Sequence, residues 1–199
     1  MEDSDEELVA LCKQGTLHAF ESLVKRYQPR ILGFLEKQIC SRVDAEDVTQ
    51  RTFIQAYQSL DRFDSKYRFS PWIFTIARRQ GIDFLRQAGS RQRTQEQLRS
   101  EPPPAFAADP SMMLGEKENL DQIWRLIWKN LDARSSEVLW LRIQEELNLA
   151  EIAGVMKLSR SHVKVLLFRA RKSLSENFAR QPESSSPRST TQPASSPSL

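Results

Sequence analysis

Apolar side chains recur every three or four positions through most of residues 4–87, and again from residue 119 onward. Spacing of this kind lines one stripe of a 3.6-residue helix and turns it toward a core. Leu8, Leu11, Phe20, Leu23 and Val24 keep that period until Tyr27-Gln28-Pro29 interrupts it. Pro29 suits a first helical turn, which predicts a second helix over Arg30–Gln38. Asp44 followed by Asp47 has the form of a capping signal and opens a predicted helix over Ala45–Leu60, with Phe53, Ala56, Tyr57 and Leu60 as its apolar face. Asp61–Ser70 has no period and reads as a loop. Pro71 starts a further helix that runs through Gln87.

The pattern dissolves after Ala88. SRQRTQEQLRSEPPPAFAADP combines charge, Gln and the triple proline Pro102–Pro104, which no helix interior tolerates. Residues 88–117 therefore read as a flexible linker. A helix resumes over Asn119–Asn130, with Leu120, Ile123, Trp124, Ile127 and Trp128 on one face. Shorter helices are predicted at Ser135–Glu146, Leu149–Met156 and Arg160–Phe178. The last 18 residues, PESSSPRSTTQPASSPSL, hold seven Ser, four Pro and no aromatic side chain. Such a stretch buries too little surface to offset its ordering entropy, so residues 179–199 are expected to be disordered. The expected fold is all-α: two small helical domains, 4–87 and 118–178, joined by that linker.

One of these helices has apolar side chains on two sides. In LSRSHVKVLLFRARKSL, Leu158–Leu174, the apolar stripe is Val163, Leu166, Leu167, Ala170 and Leu174, while Val165 and Phe168 fall on the opposite, basic side. The segment before it supplies a context. Asn148 and Glu151 form a capping box, Ser159 is placed to cap the next helix, and Ala153 is small where two helices must approach. Ile152, Met156, Leu158, Val163 and Leu166 are spaced to share one core across a tight turn, with Lys157 at the left-handed position that Gly often takes. This is helix-turn-helix spacing, and its second helix would enter a DNA major groove. Ser159, Arg160, Ser161, Lys164, Val165 and Phe168 would face base edges, with Arg160 or Lys164 reaching guanine and the two apolar side chains reaching thymine methyls. Arg169, Arg171 and Lys172 would meet phosphates. The alternative is a plain helical hairpin with Val165 and Phe168 packed on Asn119–Asn130 or on Phe178.

Charge sharpens this. Residues 1–60 carry 7 basic and 10 acidic side chains, residues 61–99 carry 9 and 4, and residues 131–181 carry 9 and 6. Two separated basic blocks suit two contacts with a polyanion, although ordinary solvated faces would look alike on charge alone. The first block is KYRFSPWIFTIARRQGIDFLRQ, Lys66–Gln87. It interleaves Tyr67, Phe69, Trp72, Phe74 and Phe84 with Lys66, Arg68, Arg78, Arg79 and Arg86. Single-stranded nucleic acid needs such planes for its bases and charge for its backbone. The competing reading makes the aromatic residues core, Phe74 and Phe84 above all, and makes Asp83 with Arg79 and Arg86 an intrahelical ion-pair set.

Other chemistries find little support. Cys12 and Cys40 have no metal-ligand spacing and are expected to pack as small apolar residues in a reduced compartment. The acidic start MEDSDEE is unlike a signal peptide, and no apolar run reaches the roughly 18–20 residues that span a bilayer. A soluble cytoplasmic protein is expected, without membrane insertion. There is no phosphate-binding GxxxxGK[ST] loop, no metal-ligand cluster, and only two His, far apart in sequence. No enzymatic activity, metal or cofactor is expected.

The two constellations occur in an order that resembles a known family. DAEDVTQRTFIQAYQSLDRF (Asp44–Phe63), FSPWIFTIARRQGIDFLR (Phe69–Arg86) and GTLHAFESLVKRY (Gly15–Tyr27) are similar to region two of bacterial sigma factors. LDARSSEVLWLRIQEELNLAEIAGVMKLSRSHVKVLLFRARKSL (Leu131–Leu174) is similar to region four. With only a loose linker between them, the resemblance is to the extracytoplasmic-function (ECF) group. It implies a dissociable, non-enzymatic subunit of RNA polymerase that recognises promoters and helps open them. By resemblance, Asp47, Gln50 and Arg51 would lie on the surface that docks on the clamp of the largest polymerase subunit. Lys66, Tyr67, Arg68, Phe69, Trp72, Arg78, Arg79 and Arg86 would capture the minus-ten element. Region four would read the minus-thirty-five duplex and touch the flap of the second large subunit, and an anti-sigma protein is a further possible partner. Five positions depart from the family's pattern: Arg51 for an acidic residue, Arg79 for Asn, Asp132 for Pro, and Val165-Leu166 for Ser-Arg, the last removing an expected phosphate contact. The rival is a helix-turn-helix regulator that acts without polymerase, its residues 4–87 serving dimerisation or sensing.

Overall fold

The structure is a computed structural model that describes residues 3–39, 41–96 and 116–179. Among them are eight α-helices and no strand: α1 (Asp5–Lys13), α2 (Leu17–Glu36), α3 (Arg42–Ser59), α4 (Phe69–Glu96), α5 (Glu116–Asn130), α6 (Ala133–Ile143), α7 (Leu149–Met156) and α8 (Arg160–Ala179), with a 3-10 turn at Leu60–Arg62. Helices α1–α4 form one unit and α5–α8 a second.

Three sequence expectations in the first unit need correction. The break falls at Gly15, whose φ of +91° favours a residue without Cβ, and not at Pro29. Helix α2 runs unbroken through Pro29. Proline inside a helix costs about 3 kcal/mol. Phe20, Leu23, Tyr27, Ile31, Phe34 and Leu35 form one continuous buried stripe on both sides of it, and full burial of a single such side chain is worth about 1.5–3 kcal/mol. Burial wins. Helix α3 begins at Arg42 because Ser41, rather than Asp44, is the cap: the Ser41 hydroxyl accepts from the Asp44 N–H at 3.3 Å. Tyr57, expected on the buried face, is exposed and lies edge-on to Phe20 at 4.9 Å. Helix α4 crosses α2 closely, and a Cβ on Gly81 would stand 3.0 Å from Leu35 Cδ2.

Part of the expected linker, 88–117, is helical. Residues 88–96 continue α4 and Glu116 already opens α5; residues 97–115, Cys40 and the Ser/Pro-rich residues 180–199 lie outside the described residues. In the second unit α5 buries Trp124 and Ile127 and half-buries Trp128, but Leu120 and Ile123 stay exposed. Helix α5 packs on both α6 and α8, and the Trp140 ring of α6 lies 4.8 Å from Trp124 and 5.8 Å from Trp128. Helix α6 starts two residues earlier than expected because the Asp132 carboxylate accepts from the Ser135 N–H at 3.0 Å. It stops at Ile143, before the left-handed Glu146 (φ +53°).

The helix-turn-helix matches its expectation closely. Asn148 and Glu151 form the reciprocal capping box of α7. Lys157 adopts φ +53°, ψ +48°, and the Leu158 N–H donates to the Ala153 carbonyl at 2.9 Å. Its neighbour Ser159 accepts from the His162 N–H at 3.2 Å and so caps α8. Ile152, Ala153, Met156, Val163 and Leu166 are all buried.

Two stability outcomes follow from these ends. Lys157→Gly should raise the unfolding free energy by about 1 kcal/mol in urea titrations, since the left-handed conformation costs a side-chain-bearing residue about that much. Asp132→Ala should lower it by about 1 kcal/mol through the lost cap. Burial acts to raise the Asp132 pKa, but hydrogen bonds from the start of α6 outweigh it and leave it below the ordinary aspartate value. The cap's contribution is therefore present above that ordinary value and disappears as pH falls through the lowered one, so wild type and Asp132→Ala should converge in strong acid.

Candidate nucleic-acid interface

The exposed chemistry lies on three surfaces. The first is built by the segment between α3 and α4. Phe63 is buried against Phe69 and Trp72, with ring centroids 5.9 and 5.1 Å away, and the Lys13 ammonium donates to its carbonyl at 2.6 Å. With Phe63 anchored, Asp64 turns the chain: its carboxylate accepts from the Lys66 N–H and its carbonyl from the Tyr67 N–H, both at 3.0 Å. Lys66, Tyr67 and Arg68 project from this turn, Tyr67 with 70% of its surface exposed. Trp72 is half-buried behind them.

Phe69, expected beside these residues on the DNA face, is instead core, at 1% exposure. Its ring stands 5.2 Å from Tyr27 and 5.4 Å from Trp72, so it props Trp72 from behind and has no face left for a base. Phe74 is also fully buried, meeting Phe34 at 5.5 Å.

Further along α4, Arg79 and Arg86 are exposed and only loosely tied to Asp83, at 3.8 Å each. Together with Arg62, Arg78, Trp72 and Lys157 they line a cleft of about 800 Å³ between α4 and α7. A smaller space of about 510 Å³ adjoins it beside Tyr67, Arg68 and Trp72, closed on the far side by Ala150, Glu151 and Gly154 of α7. Arg62 was not singled out by sequence and Lys157 was read only as the left-handed turn residue; both join the cleft through tertiary packing.

Two of the expected DNA-facing cations already have partners in the second unit. Arg78 Nε donates to Glu137 of α6 at 2.7 Å, and Arg68 donates to both carboxylate oxygens of Glu151 at 3.3 and 3.4 Å. Burial pushes the Glu137 carboxyl above its ordinary pKa, against the opposing pull of Arg78.

The second surface is the outer face of α8. Arg160, Ser161, Lys164, Val165 and Phe168 are exposed there, as are Ser159 before the helix and Arg169, Arg171 and Lys172 along its flank. Phe168 keeps 68% of its surface exposed. Leu166 points into the core at 5% exposure, which places that position off the outward face.

The third surface is the exposed side of α3. Asp47 and Gln50 lie on it, and Arg51 forms an i,i+4 ion pair with Asp47 at 2.6 Å. Val43 and Ile54 extend the same face, both exposed. The sequence reading passed over them, yet the steps from Val43 to Asp47, Gln50 and Ile54 are four, three and four residues, which is one helical face.

Among the described residues no group of His, Cys, Asp and Glu is arranged to hold a metal ion, and no helix is long and apolar enough to cross a membrane. Cys12 is half-buried, and burial pushes its thiol pKa up.

Comparison with known proteins places these surfaces in a family. The model of sigma-70 region 2 matches residues 23–91, and that of sigma-70 region 4 matches residues 129–176, together more than half of the 199-residue chain. The ECF RNA polymerase sigma-E factor of Haemophilus influenzae is 29% identical over 174 residues, covering 84% of this chain and 92% of that protein. The RNA polymerase sigma-H factor of Pseudomonas aeruginosa is 28% identical over 180 residues, covering 87% and 93%. Among solved structures, CnrH in complex with the cytosolic domain of CnrY superimposes with a TM-score of 0.66 at 24% identity, over 90% of this chain and all of that one. The sigma factor RpoE in complex with the anti-sigma factor NepR from Bartonella quintana gives 0.62 at 19% identity, over 82% and 98%. Both share the all-helical fold. The chain belongs to the sigma-70 family, in its ECF group: a non-enzymatic RNA polymerase subunit of promoter recognition and transcription initiation, with regions 2 and 4 joined in one chain.

Proposed function

We propose that the three surfaces divide the work of a sigma factor among them. The exposed face of α3, with Val43, Asp47, Gln50, Arg51 and Ile54, docks on the clamp of the largest polymerase subunit. The turn and α4 hold the separated strand of the minus-ten element. Tyr67 and Trp72 offer planes to unstacked bases, while Lys66, Arg68, Arg78, Arg79 and Arg86 meet the backbone. Phe69 acts from behind by fixing Trp72. The outer face of α8 enters the major groove of the minus-thirty-five duplex, with Arg160 or Lys164 reading base edges and Val165 and Phe168 meeting thymine methyls. Ser159 and Ser161 face the groove at its entry, and Arg169, Arg171 and Lys172 contact phosphates. Region four also touches the flap of the second large subunit. An anti-sigma protein of the kind bound to the similar structures is a further partner of this chain.

The observation that carries the reading is the double-sided α8. One face closes a core, yet Val165 and Phe168 stay exposed on the other, among cations, where a soluble helix gains nothing from them unless they meet a partner.

The full chain mixed with bacterial core polymerase should co-elute with it and support transcription from its cognate promoter. Failure with several cores, its own host's included, would sink the proposal. Ile54→Asp should weaken the core complex about tenfold or more while leaving thermal unfolding unchanged, because burying such a side chain at an interface is worth about 1.5–3 kcal/mol. Lys164→Ala should cost about 1–3 kcal/mol at one base position of the upstream duplex. An equal loss on every sequence would reduce Lys164 to a phosphate contact.

A further inference from the structure

Helix α8 carries its outward chemistry in rows. Ser161, Val165, Phe168 and Lys172 follow one another in steps of four, three and four residues, which is one helical face. That face lies opposite the buried Val163, Leu166, Leu167 and Ala170. Arg160, Lys164 and Arg171 run along one flank of it and Arg169 stands on the other. Among the described residues Arg160, Lys164, Arg169 and Arg171 make no ion pair. Lys172 is tied only loosely, at 3.9 Å, to Glu176, the one acidic residue of the helix.

The middle of the outward row is apolar, where a helix that met only phosphates would carry charge. Val165 keeps 43% of its surface exposed and Phe168 still more. Three residues apart, the two stand about 4.5 Å from each other along the helix axis. Successive base pairs are about 3.4 Å apart. The two side chains therefore match neighbouring base pairs, with cations to either side for the phosphates that border the groove. On the floor of a major groove the one apolar group is the C5-methyl of thymine; the rest are hydrogen-bond donors and acceptors, which Val and Phe leave unanswered. What these two side chains sense is whether C5 of a pyrimidine carries a methyl group. Cytosine methylated at C5 sets the same group at the same corner of the base pair and keeps its own N4 donor.

We propose that the outer face of α8 is a reader of pyrimidine C5-methyl groups, with Val165 and Phe168 as the reading residues, so that methylation of cytosine at C5 beneath them raises affinity for the duplex. This rests on the proposed role of α8 in reading the upstream duplex and goes beyond it. The chemical state of the DNA, as well as its sequence, becomes an input to promoter choice. The apolar contact is the same for thymine and for 5-methylcytosine, so telling the two apart falls to the polar neighbours Arg160 and Lys164.

The full chain loaded on core polymerase is used to select duplexes from a pool of random sequence. The selected duplex is then remade with uracil for thymine, which removes only the methyl, and with cytosine or 5-methylcytosine at the same positions. Uracil should weaken binding about fourfold for each methyl that is met, from the usual free energy of burying one such group. By a similar factor, 5-methylcytosine should outbind cytosine. Both differences should vanish in Val165→Ser/Phe168→Ser, whose side chains are exposed and outside the core. Lys164→Ala should bind more weakly yet keep them. Equal binding of the thymine and uracil duplexes by wild type, or differences that survive in the double variant, would overturn the proposal. Where the double variant binds too weakly to compare, each single substitution should lose the difference at one base position, and its retention in both also overturns the idea. A chain that joins no core or selects no duplex overturns the assignment of α8 itself. A selected duplex that is indifferent to its methyl groups overturns this proposal alone.

Discussion

Tyr27 is where the molecule's parts meet. It is buried in the middle of α2, and its hydroxyl donates to Asp5 in the first turn of α1. That hydroxyl is held protonated, with its pKa pushed well up, first by burial and then by the neighbouring carboxylate. One edge of its ring meets Phe69, the residue that props Trp72 beside the turn between α3 and α4. The Arg30 guanidinium lies 4.6 Å from the ring centre and reaches on to Glu145 of region four. One aromatic side chain thus fixes the N-terminal helix, the back of the turn between α3 and α4, and the cation at the seam between the units. The three are coupled through packing, which has no intermediate positions for a ring of that size.

The seam itself is built differently from the cores on either side of it. Within each unit the stabilising contacts are apolar, as in the aromatic stack of Phe63, Phe69 and Trp72 or the tryptophan cluster of α5 and α6. Across the seam the apolar core is continuous, with Trp140 against Phe34, and four ion pairs are added to it. Burial pushes both Glu137 and Glu145 carboxyls above their ordinary pKa even though each faces an arginine. Their ionised forms therefore lose more by desolvation than the arginines return. Buried ion pairs of this sort align surfaces more than they hold them together.

What was legible in the sequence was local. The capping box of α7, the left-handed Lys157 and the Ser159 cap are each set by residues within a few positions of one another, and α7 came out with the bounds its pattern implied. Pro29 misled because its local cost is real but was outweighed by burial on both sides of it. Phe69 and Tyr67 are two residues apart in a segment without period, so nothing in their spacing could say that one is core and the other exposed; that was settled by Phe63 and Tyr27, brought in from elsewhere in the chain. Glu137 and Glu145 went unremarked for the same reason. Their partners lie 59 and 115 positions away, and no pattern along the chain announces them.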